Sequence, residues 1–511
     1  MMCERAPSPG RTTARLVAWA VAMQMFSAVP SMAQTDTIPG VRTPIVSTSH
    51  RILLNGKPLA YTARAGVLPI RHNDTAEPLG YIFFVAYVVE RAPGQPARPL
   101  TFAWNGGPGA NSLLVHLDAM GPRRLTVGDG GLSPRVPMAF VDNQDTWLDE
   151  TDLVFVDPIG TGFSRAAKPE YFRGFYGVMG DIAATREFIR VYRTRFDAWD
   201  SPVYLAGESY GTWRAGGTAD AMERNGERVA GVIAISGGIP VGPVLTPEMR
   251  AATFLSARTS TAFFHRKLAP VLQQNRERAI SEADGWAKAT YAPALSRLSS
   301  LTAAERLDIV QRLARYTGLD TGQVDKQTLI VDRQFFIDDL LKDRNQGALG
   351  RFDTRQIAGS AALAAEARDA PRRRVLVNDY LRRELGFATD LVYQGLEPGY
   401  SSTGARTPPW DYDNNPPGAA LARNTDGPPG PTPSWLRSAM EINPSLRAFV
   451  AMGQFDSLNS CSAGAYIIDN VSPAIGRRIT LGCYEGGHMM YEDRPARLLL
   501  KRDIAKFYRG R

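Results

Sequence analysis

Short apolar runs recur between residues 81 and 240, each leading into a turn or into a segment with helical spacing. Residues 81–90 are almost continuously apolar and rich in aromatic and β-branched side chains, which predicts a buried strand. Residues 100–104, 153–156, 203–206 and 229–235 are short and apolar, as strands covered on both faces are. Between them, 181–195 and 212–224 carry helical spacing, and this alternation predicts a mostly parallel α/β sheet. After Pro243 the texture changes. Residues 246–385 read as mainly helical, with a capping box from Thr302 to Glu305 and Gly318 as the stop of that helix. Residues 401–434 hold eight prolines and read as extended loop. Strand texture returns at 446–452 and 478–481, and a helix over 494–508 closes the chain. One sheet interrupted by a helical insertion accounts for this order: a core of 34–243 and 436–511, with a helical cap and Pro-rich loop over 244–435.

The N-terminus follows a different pattern. Arg5, Arg11 and Arg15 precede an apolar run over 16–29 that ends at Pro30-Ser31-Met32-Ala33. A basic region, a short apolar region and a small-x-small site describe a secretory leader cleaved after Ala33, too short to be a spanning helix. The expected product is secreted or periplasmic, with no integral membrane segment after cleavage. Cleavage removes three arginines and one glutamate, lowering the net charge from +8 to +6. It also removes Cys3, so Cys461 and Cys483 are left as a pair expected to bridge in an oxidising compartment.

Composition narrows the class. With 44% hydrophobic and 22% charged residues among 511, the chain is neither collagen-like, coiled-coil nor disordered. Its basicity is almost all arginine, since only 8 of its 59 cations are lysine. The dense run Arg372 to Arg374 sits among Asp369, Asp379 and Glu384, and no basic stripe interleaves with aromatics, so no nucleic-acid partner is expected.

Gly207-Glu208-Ser209-Tyr210-Gly211 matches G-x-S-x-G, the nucleophile elbow, in which a serine sits on a strained strand-to-helix turn that leaves no room for neighbouring β-carbons. Its flanks fit, with a strand pattern before it and a helix-compatible run after. A serine nucleophile requires a base, and the chain has five histidines. His50 and His72 lie far upstream, His116 near a glycine loop and His265 in a helical segment. His488 follows the last strand on the turn Gly486-Gly487-His488-Met489-Met490, giving the chain order Ser…Asp…His of α/β-hydrolases. Asp456, at the end of the 446–452 strand, fits the orienting carboxylate better than Asp469 or Asp493. Cys461 lies five residues past Asp456 and Cys483 five before His488, so their bridge would tie the Asp loop to the His loop. Trp104-Asn105-Gly106-Gly107-Pro108-Gly109 follows a strand, and a backbone N–H there can complete an oxyanion hole with that of the residue after the nucleophile. A phosphate loop is a poor alternative: G-K-[ST] is missing and the proline removes a donor.

Together these pieces resemble the serine carboxypeptidase family, through WNGGPG at 104–109, GESYG at 207–211, the G-x-x-D turn at 453–456 and GGHM at 486–489. DLVFVDPIGTGFSR at 152–165 is similar to that family's strand and loop, and NSLL at 111–114 and GHMMY at 487–491 resemble its bacterial members. The resemblance implies an α/β-hydrolase fold, with a mostly parallel central sheet and an inserted helical cap, that removes C-terminal residues from peptide substrates. Ser209 would be the nucleophile, His488 the base and Asp456 its orienter. The N–H groups of Gly107 and Tyr210 would form the oxyanion hole. Gly106 would line the substrate, and Asn105 and Glu208 would hydrogen-bond its terminal carboxylate. No metal and no organic cofactor is implied. The chain departs from the family at Ala119, where eukaryotic members carry a second glutamate, with Asp118 one residue early; Ala110 replaces a cysteine. An esterase or acyltransferase on the same triad, and a non-catalytic binding protein, are the competing readings. Side-chain preference and oligomeric state are not legible.

Overall fold

The computed structural model describes residues 38–92, 94–126, 138–396, 410–412 and 432–510, without the side chains of 361–363 and 365–368. The leader, Cys3 and most of the Pro-rich stretch lie outside the described residues.

Twelve strands are described: β1 (Ile45–Leu54), β2 (Lys57–Arg71), β3 (Pro78–Val89), β4 (Leu100–Trp104), β5 (Arg123–Leu125), β6 (Phe140–Asp142), β7 (Asp152–Val156), β8 (Arg165–Ala166), β9 (Val203–Glu208), β10 (Val229–Ile235), β11 (Arg447–Gly453) and β12 (Ile479–Tyr484). Ten form one sheet, in the order β1-β2-β3-β7-β4-β9-β10-β11-β12 with β8 on β3, while β5 and β6 pair separately. From β7 to β12 every neighbouring pair is parallel. β1, β2 and β3 add an antiparallel flank, joined to the rest by the antiparallel pair β3–β7.

Successive residues of a strand point to opposite faces, and each face has its own core. Phe83, Ala103, Phe155, Ile233 and Phe449 lie in one core, covered by the C-terminal helix Arg494–Tyr508 at its β11–β12 end; Phe84, Phe102, Val154, Val232 and Val450 lie in the other, under Val178–Arg195, Gly211–Arg224 and Trp435–Ile442. Burial on both faces is why β4, β7 and β9 are apolar without alternation.

Between β10 and β11 the chain is mainly helical. Helices such as Pro247–Phe264, Arg276–Trp286 and Ala303–Thr317 pack into a core of their own, through Leu255, Ala279, Ile309, Leu313 and Phe336. The capping box of Thr302 with Glu305 is formed, and Gly318 closes that helix at φ +71°. The inserted segment is not uniform, however. Val377, Tyr380, Leu385, Phe387 and Tyr393 pack with β2 and β3 on the sheet rather than with the inserted helices. Among the described residues no helix is long and apolar enough to cross a membrane.

Candidate active site

The C-terminal ends of β4, β9, β10, β11 and β12 lie side by side, and every candidate residue leaves the sheet there. Ser209 follows β9 at φ +57°, a left-handed conformation that costs a residue with a β-carbon about 1–2 kcal/mol. Its N–H is held by Ile235 O at 2.8 Å, and the helix Gly211–Arg224 starts two residues later. The turn closes only because Gly207 is bare: a β-carbon there would strike the Gly211 carbonyl.

His488 and Asp456 are brought together by a parallel ladder that continues beyond its strands. β11 and β12 are in register through Gly453 and Tyr484; Gln454 N–H then bonds Tyr484 O at 2.9 Å and Phe455 N–H bonds Gly486 O at 2.9 Å. Asp456 and His488 emerge together, with Nδ1 2.8 Å from Asp456 Oδ2. An ionised carboxylate only accepts, so Nδ1 carries the proton and Nε2 keeps its lone pair. Asp456 also accepts from Leu458 N and from Asn459 Nδ2, each at 2.8 Å. Cys461, at the start of the helix Cys461–Asn470, and Cys483, within β12, form a disulfide with Cα atoms 6.0 Å apart.

β10 links the His488 loop to the Ser209 turn: Ile235 O holds Ser209 N–H, and the next residue, Ser236, donates its hydroxyl to His488 O at 2.6 Å. Among the described residues no hydrogen bond joins the Ser209 hydroxyl to His488, a contact that in substrate-free sites often forms only with substrate present. Burial disfavours a charged His488, but the Asp456 charge and hydrogen bond, helped by the Glu208 charge, outweigh it and hold the imidazole above its usual range.

The glycine loop lies against the elbow. A β-carbon on Gly106 would come within 2.5 Å of Tyr210 N and 2.6 Å of Glu208 O, so only glycine lets the loop approach the amide after Ser209. Gly107, at φ +97°, then turns the chain. Beneath both runs a buried ion pair. Arg214 Nε donates to Asp181 Oδ2 at 2.7 Å and another guanidinium nitrogen donates to Asn105 O at 2.8 Å, while Tyr210 OH donates to Asp181 at 3.3 Å. One cation thus ties loop to elbow.

Glu208 is buried and accepts from the Tyr491 hydroxyl. Burial pushes its carboxyl above the ordinary range, against the opposing pull of the His488 charge and of the Tyr491 and Asn105 side chains, and the Asp118 charge adds to the rise. Asn105 accepts from Val115 N at 3.1 Å, whereas its Nδ2, beside Glu208, completes no hydrogen bond. Ala119 is buried and apolar, and Asp118 is paired with Arg373 at 2.8 Å. A second carboxylate therefore acts on Glu208 after all, through its charge, and is itself paired with a guanidinium 255 positions away in sequence.

The remaining candidates go elsewhere. Asp469 is exposed on the helix Cys461–Asn470, and Asp493 pairs with Arg355 at 2.5 Å. His116 is buried against Tyr87 at 2.7 Å, and burial lowers its pKa to about 3. His50 bonds Thr48, His72 is exposed, and His265 bonds Thr354 O.

Sequence reasoning missed one element of the site entirely. Residues 351–355 of the insertion run between the Asp and His loops. Ser457 Oγ donates to Arg351 O at 2.5 Å, His488 N–H to Phe352 O at 2.6 Å and Thr354 N–H to Phe455 O at 3.0 Å. Arg-Phe-Asp-Thr-Arg reads as surface loop; its last three residues are buried, with Arg355 bridging Asp353 and Asp493, the latter 138 positions away in sequence. A surface concavity of about 400 Å³ near Arg64, Val89 and Arg91 includes none of these residues.

A family model described as "Serine carboxypeptidase" matches residues 57–232, a stretch that includes Ser209 and the glycine loop but ends before Asp456 and His488. Serine carboxypeptidase-like 36 of Arabidopsis thaliana is 31% identical over 139 residues, 26% of each chain. The pheromone-processing carboxypeptidase KEX1 of Saccharomyces cerevisiae is 37% identical over 105 residues, 20% of this chain and 13% of that one. The chain thus spans about a quarter or less of the length of these relatives. Over most of its length it is similar in fold to the crystal structure of the Saccharomyces cerevisiae prohormone-processing carboxypeptidase Kex1(delta)p, with a TM-score of 0.50, 15% identity and coverage of 88% of this chain and 91% of that one.

Proposed function

We propose, from the match of residues 57–232 to the serine carboxypeptidase family model, that this chain belongs to that family and hydrolyses C-terminal peptide bonds through an acyl-enzyme. The observation that carries this reading is the oriented imidazole: His488 bonded to Asp456 at 2.8 Å, on the loop beside an elbow that holds Ser209 at φ +57°. Ser209 Oγ attacks the scissile carbonyl as its proton passes to His488 Nε2, and Asp456 stabilises the imidazolium. The N–H groups of Gly107 and Tyr210 receive the oxyanion. The leaving nitrogen takes the proton from His488, and water, activated by the same imidazole, releases the peptide acid and restores the serine. Asn105, Gly106 and protonated Glu208 hold the terminal carboxylate of the substrate.

In this reading 34–243 and 436–511 form the catalytic core and 244–435 the cap, of which 377–393 belongs with the sheet by its packing. The leader read over 1–33 directs the protein to the periplasm or outside the cell. Ser209→Ala tests the assignment: it is expected to fold normally and to abolish release of C-terminal residues from a peptide library followed by mass spectrometry. Retained turnover in that variant overturns it, and cleavage of simple esters alone favours the esterase reading.

A further inference from the structure

Of the five residues from Arg351 to Arg355, the last three are buried and Phe352 is 45% exposed. An isolated exposed phenylalanine needs no explanation. This one differs in its neighbour, because its ring centroid lies 5.2 Å from that of the His488 imidazole.

The ring is also held in place. Its own carbonyl accepts the His488 N–H at 2.6 Å, and Arg351 O on one side accepts from Ser457. On the other side Thr354 is fixed three ways: to Phe455 O at 3.0 and 3.1 Å, to Thr261 Oγ1 at 2.6 Å and to His265 Nε2 at 2.7 Å. Gly487 seats the segment, since a β-carbon there would meet Phe352 O at 2.6 Å and Asp353 Cβ at 2.5 Å. A pinned backbone carrying a half-exposed aromatic ring is what a specificity wall requires: the wall loses little freedom when a ligand covers it.

The chemistry fixes which part of the substrate meets it. During acylation His488 gives its proton to the leaving nitrogen, so the residue bearing that nitrogen lies next to the imidazole and to the ring flanking it. The guanidinium of Arg351 stands 5.8 Å over the same ring and repels a cationic side chain. We propose that Phe352 reads the side chain of the leaving C-terminal residue, selecting peptides that end in a large apolar or aromatic residue over those ending in a small or basic one. The proposal rests on the carboxypeptidase reading of the same site.

The test uses the full chain and peptides identical except for a last residue of Phe, Leu, Ala or Lys, with labelling of Ser209 by a small organophosphonate as a separate readout. Wild type is expected to favour Phe or Leu over Ala in kcat/KM by about tenfold or more, with Lys lowest. F352A is expected to compress the Phe-to-Ala ratio to about threefold or less, and F352L, which keeps an apolar wall, to hold an intermediate ratio. Peptide trimming with the same ratio in wild type and both variants overturns this inference and leaves the carboxypeptidase reading standing, as does a wild-type preference for Ala or Lys. Labelling of Ser209 without release of any C-terminal residue rejects both.

Discussion

Asp456 and His488 meet at 2.8 Å because the β11–β12 ladder runs on past both strands into the loops that carry them. The carboxylate takes the Nδ1 proton, is itself fixed by Leu458 N and Asn459 Nδ2, and leaves Nε2 as the acceptor.

Asp456→Asn is therefore expected to preserve the fold while favouring the wrong imidazole tautomer. The expected loss in kcat is roughly three to four orders of magnitude with little change in KM, read from steady-state kinetics. A loss of less than about tenfold would show that Asp456 does not orient the base.

The ionisation of Glu208 governs a pH effect. Its carboxyl is raised by burial, so the folded state keeps the proton longer than the unfolded chain does. Its contribution to stability is full below the unfolded carboxylate range, about pH 4, and is lost as pH rises through the raised folded value. Peptide KM is expected to rise over that same window, as the donor to the terminal carboxylate disappears. Glu208→Gln keeps a donor that does not titrate, so KM should become flat there. A variant that retains the wild-type KM profile would argue against Glu208 as that donor.

Arg214 and Asp181 are both buried, and the guanidinium also holds the Asn105 carbonyl. Removing one partner leaves an uncompensated charge. Arg214→Met is expected to cost about 3–5 kcal/mol in urea denaturation, and Arg214→Met with Asp181→Leu to recover most of it. Equal destabilisation of single and double variants would mean the cost is packing rather than charge.

The Cys461–Cys483 bridge closes a segment of 22 residues between the Asp and His loops. The double alanine variant is expected to lose about 3 kcal/mol of stability and to be inactivated at a lower temperature than wild type. Peptide mapping without reductant checks the premise, since two free thiols would remove it.

The parallel strands were legible because burial on both faces leaves continuous apolar runs, and the elbow because glycines must flank a strained serine. The β1–β3 flank was only partly so. β3 is an apolar run, but β1 alternates in burial without alternating polar and apolar residues, its middle being five polar residues in a row, and β2 changes from alternating to fully buried along its length. No single period describes it. The helical insertion was visible, whereas the return of 377–393 to the sheet was not, since Val377 and Tyr380 look like any other helix-face residues until β2 and β3 supply their partners.

The sequence by itself determined which residues are candidates for chemistry, because Ser209, His488 and the glycine loop each sit in a short motif whose backbone demands are local. Only the tertiary structure decided what surrounds them. The Asp118–Arg373 pair, the Arg214 tie beneath the oxyanion loop and the Phe352 ring against His488 join residues far apart in the chain. Such contacts follow from strand order and loop closure, which no local period encodes.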